Sequence, residues 1–173
     1  MKLITRIIAI SLVFWMMPAV ASDFYMNIAG AQTIIETDAG KAKPFIGAMK
    51  LGYEFTPNFA FEVQYGAGTD KDQLDNQEYE INSLAAAFLR FSSSGSYSDV
   101  RLYLLLGYSQ FDMQVTAAGT TVSDTYDGFS YGVGAEEFLK SVPNLAFVAE
   151  YVWYYDRDEL SVDAITLGIR YKF

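Results

Sequence analysis

FIGAMKLGYEFTPNFAFEVQY, residues Phe45–Tyr65, reads as two strands and a turn. Before the turn, Phe45, Met49, Leu51, Tyr53 and Phe55 share one face of a period-two pattern, and Ala48, Lys50, Gly52 and Glu54 share the other. Pro57-Asn58 marks the turn. After it, Phe59, Phe61, Val63 and Tyr65 oppose Ala60, Glu62, Gln64 and Gly66. Successive side chains of a strand point to opposite faces. Each strand therefore has one bulky, aromatic face and one face of small residues with isolated charges. A soluble, lipocalin-like barrel would turn the bulky face inward and leave Gly, Glu and Lys outside. Lipid reverses the requirement, taking the bulky face and leaving the small, charged one to line a narrow interior.

Working outward, the pattern recurs. Eight segments can be drawn: 24–35, 44–56, 59–68, 78–91, 99–115, 127–139, 145–156 and 160–173. In the sixth, Phe129, Tyr131, Val133 and Ala135 oppose Gly128, Ser130, Gly132, Gly134 and Glu136. In the seventh, Leu145, Phe147, Ala149, Tyr151, Trp153 and Tyr155 oppose a face carrying Glu150. In the eighth, Ile165, Leu167, Ile169, Tyr171 and Phe173 oppose Thr166, Gly168, Arg170 and Lys172. Leu84–Leu89 and Leu102–Leu106 are nearly continuous apolar runs, so their facing is open. Tight or Ser/Gly-rich connections (Pro57-Asn58, 92–98, and 140–144 with Pro143-Asn144) alternate with acidic ones (36–43, 69–78, 116–126, 156–159). The expected fold is all-β: an eight-stranded antiparallel up-and-down transmembrane β-barrel, a single domain over residues 22–173. Closure satisfies every backbone group, the condition for spanning lipid. Tyr53, Phe55, Phe59, Trp153, Tyr155, Tyr171 and Phe173 are expected in the interfacial girdles.

Residues 1–21, MKLITRIIAISLVFWMMPAVA, predict a secretory signal peptide. Lys2 and Arg6 precede an apolar run that is short of the about 20 residues a spanning helix needs. Ala19-Val20-Ala21 supplies the small-residue cleavage site. The chain has no Cys and no His, which excludes disulfides, Cys- or His-ligated metal sites and a histidine base. With 21 acidic against 12 basic residues, non-specific nucleic-acid binding is not expected.

The chain ends on an alternating apolar strand, with Ile169, Tyr171 and Phe173 on one face. This resembles the C-terminal assembly signal of outer-membrane barrels. With FYMNIAG (Phe24–Gly30), LYLLLGY (Leu102–Tyr108), GFSYGVGAE (Gly128–Glu136) and AEY (Ala149–Tyr151), the chain resembles the OmpA/OmpX-like family of small outer-membrane barrels over residues 22–173. The resemblance implies the outer membrane of a Gram-negative bacterium, short periplasmic turns and external loops. It also implies lipid or lipopolysaccharide and the barrel-assembly machinery as partners. No periplasmic peptidoglycan-binding domain is expected after the last strand.

Chemistry is sought on the inward faces. Lys50, Glu62 and Glu150 fall mid-strand; Glu54, Glu136 and Arg170 lie nearer the short-turn end, with Arg101 beside them. Unpaired buried charges are costly, so these seven are expected to form a lumen charge network, with Lys50 bonding Glu62 or Glu150. Eight strands enclose an interior that side chains just fill, so a wide pore is not expected; a narrow, low-conductance channel is the alternative. A lipid-modifying enzyme is a further one, but no Ser–His relay can form, and adjacent Glu136 and Glu137 point to opposite faces. No catalytic residue, cofactor or metal site is expected. The acidic loops (Asp70, Asp72, Asp75, Glu78; Asp156, Asp158, Glu159) offer a surface for an external partner or a weak divalent-cation site, though no spacing matches an EF-hand. Tyr79, Tyr126, Tyr154 and Tyr155 are expected to serve recognition or the upper girdle.

Overall fold

The computed structural model describes residues 23–37, 40–93, 100–157 and 160–173. The expected signal segment, with Asp158 and Glu159, lies outside them. Among the described residues the strands are β1 (Phe24–Thr37), β2 (Gly40–Ala42), β3 (Phe45–Thr56), β4 (Phe59–Asp70), β5 (Asp72–Leu74), β6 (Gln77–Ser92), β7 (Val100–Ala117), β8 (Thr120–Leu139), β9 (Val142–Arg157) and β10 (Leu160–Lys172). β2 and β5 are three-residue pieces; the other eight are the staves of the barrel. They pair antiparallel in the order β1-β3-β4-β6-β7-β8-β9-β10. β10 returns to β1 from Tyr25↔Lys172 to Glu36↔Ser161, closing the cylinder and leaving no edge at membrane level. The chain is an eight-stranded, all-antiparallel, up-and-down barrel.

The start of β1 and the end of β10 meet at the short-turn end, where the Phe173 amide donates to the Phe24 carbonyl at 3.0 Å. Asn58 ties the first short turn to β6, donating through Nδ2 to the Ser92 carbonyl and accepting from the Ser92 amide. The last short turn differs from expectation. It is Lys140-Ser141, and Pro143-Asn144 lie inside β9. The register shift after Phe138 there takes Pro143, which has no amide to give the ladder, out of regular pairing.

Two connections expected as acidic loops are tight hairpins instead. Leu74 pairs Gln77 across Asp75-Asn76, at φ 50° and 62°, and Ala117 pairs Thr120 across Ala118-Gly119, at φ 48° and 81°. Positive φ at both central positions matches the right-handed twist of the flanking strands. β6, β7 and β8 accordingly run on well past the membrane level.

The outer wall is apolar. Ile28, Met49, Leu51, Leu104, Phe129, Phe147 and Leu167 all stand exposed. At the short-turn rim, the rings of Phe24, Tyr53, Phe55, Phe59 and Phe91 follow one another at centroid spacings of 4.8, 5.0, 5.5 and 5.3 Å. At the other rim Tyr131, Trp153 and Tyr151 are in contact. An apolar band between two aromatic rings is the surface a bilayer requires.

Inside, the face expected to be mostly small also carries large side chains. Tyr25, Phe88, Tyr103, Phe111 and Tyr154 are all buried. Tyr79 and Tyr154, expected at the surface or girdle, point inward. Tyr154 does so by the alternation that places Glu150 and Val152 inside. A β-bulge follows at that point: Val162 pairs Tyr155 but Asp163 pairs Trp153, so Tyr154 is an extra residue. The bulge turns Tyr155 from its expected girdle position to the inner face, against Phe111 and Tyr126 at 5.9 and 5.6 Å.

Candidate functional site: a closed ionic lumen

The short-turn half of the lumen is built from alternate residues of all eight staves. Lys50, Glu54, Glu62, Arg90, Glu136, Glu150 and Arg170 are buried, and Arg101 sits at the edge. They form one continuous chain of ion pairs. Lys50 pairs with Glu150 and, at 3.7 Å, with Glu62. Glu62 meets Arg90 at 3.2 Å, and Arg90 meets Glu136 at 2.8 Å. Glu136 pairs with Arg170, Arg170 with Glu54, and Glu54 with Lys172. Arg101 lies 3.5 Å from both Glu54 and Glu136. The structure thus brings together all seven residues singled out from sequence and adds Arg90 and Lys172. Five cations face four carboxylates, and each charge has an opposite neighbour, as buried charges require.

Two copies of one local device hold the network in place. Tyr25 lies across the barrel wall from its partner Gly52, and Tyr103 from its partner Gly134. A Cβ at either glycine would overlap the tyrosine ring, so glycine is what lets the ring lie flat there. Arg170 stacks over Tyr25 at 3.6 Å and Arg90 over Tyr103 at 3.7 Å. Each hydroxyl donates to a carboxylate, Tyr25 to Glu62 at 2.6 Å and Tyr103 to Glu150 at 2.8 Å. A guanidinium confined between a ring face and two carboxylates is fixed in both position and orientation.

Above this layer the lumen changes character. Ile35, Ile46, Ile81, Leu84, Leu105, Phe111, Val152 and Val162 form an apolar core beneath the long hairpins. Gln64 donates to the Tyr154 hydroxyl at 2.8 Å where the halves meet. The cross-section is occupied twice over, first by paired charges and then by packed hydrocarbon.

Outside the wall, Lys71 reaches Glu78 at 2.8 Å and Glu80 at 3.1 Å. Hydrogen bonds from its ammonium to these carboxylates raise its pKa above the ordinary lysine value. Lys71 is thus the cation that the acidic residues of this hairpin surround. Among the described residues no group of three acidic side chains is arranged to hold a metal ion. Ile169, Tyr171 and Phe173 stand exposed on the outer face of the short-turn end, and Glu137, unlike Glu136, faces outward.

A closed eight-stranded barrel with an apolar outer band and a salt-bridged lumen is a small outer-membrane barrel of the OmpA/OmpX-like kind. The chain belongs to the outer membrane protein β-barrel domain family, whose model matches residues 7–173. It is a protein of the outer membrane. Its fold is similar to that of Neisserial surface protein A (TM-score 0.71, 20% identity, covering 87% of this chain and 97% of that one). It is likewise similar to Ail, the attachment invasion locus protein of Yersinia pestis, solved with the heparin analogue sucrose octasulfate (TM-score 0.64, 22% identity, 87% and 98% covered). The outer membrane protein OprG of Pseudomonas aeruginosa also shares the fold (TM-score 0.62, 13% identity, 88% and 97% covered). No curated protein sequence matches the chain.

Proposed function

We propose that this barrel is a closed, non-enzymatic structural element of the outer membrane, whose long-hairpin end faces outward and makes surface contacts. The observation that carries the reading is the doubly filled lumen. A standing pore needs a continuous polar path, and here the ionic layer is capped by apolar side chains. With no histidine in the chain, the network's groups are carboxylates and permanent cations already paired with one another, an arrangement suited to holding a wall together rather than to moving protons. The long β6–β7–β8 sheet supports contact at the outer end. Lipid and lipopolysaccharide would cover the apolar band, and Ile169, Tyr171 and Phe173 would present the strand read by the assembly machinery.

Two measurements test this. In planar bilayers the protein should give no reproducible conductance; steps that change with Lys50→Ala or Glu62→Ala would establish the narrow channel instead. Cells displaying the barrel should adhere to an epithelial monolayer more than cells displaying a version whose β7–β8 hairpin is shortened above Gln110 and Asp127. Equal adherence would remove the surface role.

A further inference from the structure

The lipid-facing wall is not evenly covered. Leu102, Ala135, Ala149 and Leu167 are register partners and form one row across β7, β8, β9 and β10. Leu102 and Leu167 stand well exposed, and the two alanines between them leave a hollow. Leu104 bounds it towards the long hairpins and Phe147 towards the short turns. The result is a groove of about 710 Å³ that runs on, past the same alanines and Leu167, into a second hollow of about 350 Å³. Along β8 it reaches from Val133 to Glu137, about 13 Å of strand. Half of a bilayer's hydrocarbon core is about 15 Å deep. The groove therefore has the length of one leaflet and the lining that an acyl chain fits.

The groove ends at a charge. Glu137 is exposed on the outer face between its register partners Val100 and Phe147, which are exposed as well. It stands close to the end of β8 at Leu139, where the wall passes from hydrocarbon to headgroups. Its neighbour Glu136 is paired inside the barrel with Arg90 and Arg170. Arg101 turns inward to Glu54 and Glu136, and Lys172 to Glu54. Among the described residues no cation pairs with Glu137. A carboxylate beside lipid calls for a partner of opposite charge, and here the lipid layer is what lies against it.

From the groove and the carboxylate at its mouth we infer that Ala135, Glu137 and Ala149 form a binding site for a phospholipid whose headgroup ends in a primary ammonium, in the leaflet at the short-turn end. The Glu137 carboxylate accepts hydrogen bonds from the ammonium. One acyl chain lies over the alanines, between Leu102 and Leu167. An anionic headgroup without an amine is repelled by the same carboxylate. A second barrel docked two-fold over the groove would set Glu137 against its own copy, which favours lipid over self-association. The site needs only the barrel's place in the membrane, so it stands or falls apart from the surface contacts and from the closed lumen.

The test uses the barrel in phosphatidylcholine nanodiscs, into which phosphatidylethanolamine is titrated while backbone amide resonances are followed. Saturable shifts are expected at residues 135–137 and 147–149, and not on the far wall around Met49 and Val63. Phosphatidylglycerol should not reproduce them. Glu137→Gln, a change at an exposed position, should weaken the apparent affinity at least about threefold. Ala149→Phe, which fills the groove and leaves the carboxylate in place, should abolish the shifts. Shifts spread evenly round the barrel, an equal response to phosphatidylglycerol, or full binding by Glu137→Gln would overturn the site. Water-soluble phosphoethanolamine should not compete; competition by it would overturn the role of the groove. Native mass spectrometry from detergent should show the barrel retaining phosphatidylethanolamine as a monomer. A dimer that carries no lipid and is lost in Ala149→Phe would overturn the lipid occupant in favour of a second copy.

Discussion

The two halves of the lumen are lined by the same strands with the same alternation, yet they are held by opposite physics. Near the short turns, Lys50, Glu62, Arg90, Glu136 and Arg170 fill the interior with paired charge. Beneath the long hairpins, Ile46, Leu84, Leu105 and Val152 fill it with hydrocarbon. An apolar half tolerates loss of a group by leaving a small void. An ionic half does not, because removing one partner leaves the other buried and uncompensated. The halves should therefore respond differently to substitutions of similar size.

The largest effect is expected at Lys50. Lys50→Ala leaves Glu150 with the Tyr103 hydroxyl as its remaining donor here and weakens the surroundings of Glu62. Breaking a buried pair in this way costs about 3–5 kcal/mol. Urea unfolding from lipid vesicles, followed by the heat-modifiable gel shift, should show it. Lys50→Met with Glu150→Gln together should recover a substantial part. A double variant as unstable as Lys50→Ala would mean that the pair is no unit.

Gly134→Ala tests the device rather than the charge. The added Cβ must displace the Tyr103 ring, and with it the surface on which Arg90 stacks. Overpacking of this kind costs about 1–3 kcal/mol. The same change at Gly119, where a Cβ meets open space, gives the control for crowding, though its φ of 81° adds backbone strain of its own. In the apolar half, Ile46→Val should cost less, about 0.5–1.5 kcal/mol by the same assay. An Ile46→Val loss as large as that of Lys50→Ala would erase the contrast between the halves.

How much of this was legible in the sequence follows from what sets each feature. Strand facing is local, so the alternation of Phe45–Tyr65 and Ile165–Phe173 was enough to place Lys50, Glu62 and Arg170 inside. Arg90 escaped because Leu84–Leu89 hides the alternation. The signal was Arg90 itself: a charge on a lipid-crossing strand must face inward, which then orients Phe88 inside and Leu89 outside. The tyrosines over Gly52 and Gly134 depend on register between strands, which no single strand encodes. The bulge at Tyr154 is likewise non-local. It exists where Ser109, Ser130 and the end of the ladder meet, and it moves Tyr155 from the wall to the interior. The hairpins over Asp75-Asn76 and Ala118-Gly119 were misjudged because acidic residues suggested loops, whereas two-residue turns depend only on φ at their two centres.

The sharpest form of the comparison sets one ion pair inside the barrel against one outside it. Arg90 and Glu136 lie 2.8 Å apart, and Lys41 and Glu36, at the hairpin end of β1 and β2, lie 2.9 Å apart. The distances are alike; the surroundings are not. The side chains of the outer pair are about half exposed (55% and 50%), those of the inner pair 3% or less. Water already solvates each outer partner, so Lys41→Ala should change stability by about 1 kcal/mol or less. At 1 M salt, where the screening length is about 3 Å, that difference should vanish. Arg90 and Glu136 are buried, so the penalty of Arg90→Ala should be nearly the same at low and high salt. If the Arg90→Ala penalty instead falls with salt as that of Lys41→Ala does, ions reach the network, and the lumen is open to one side.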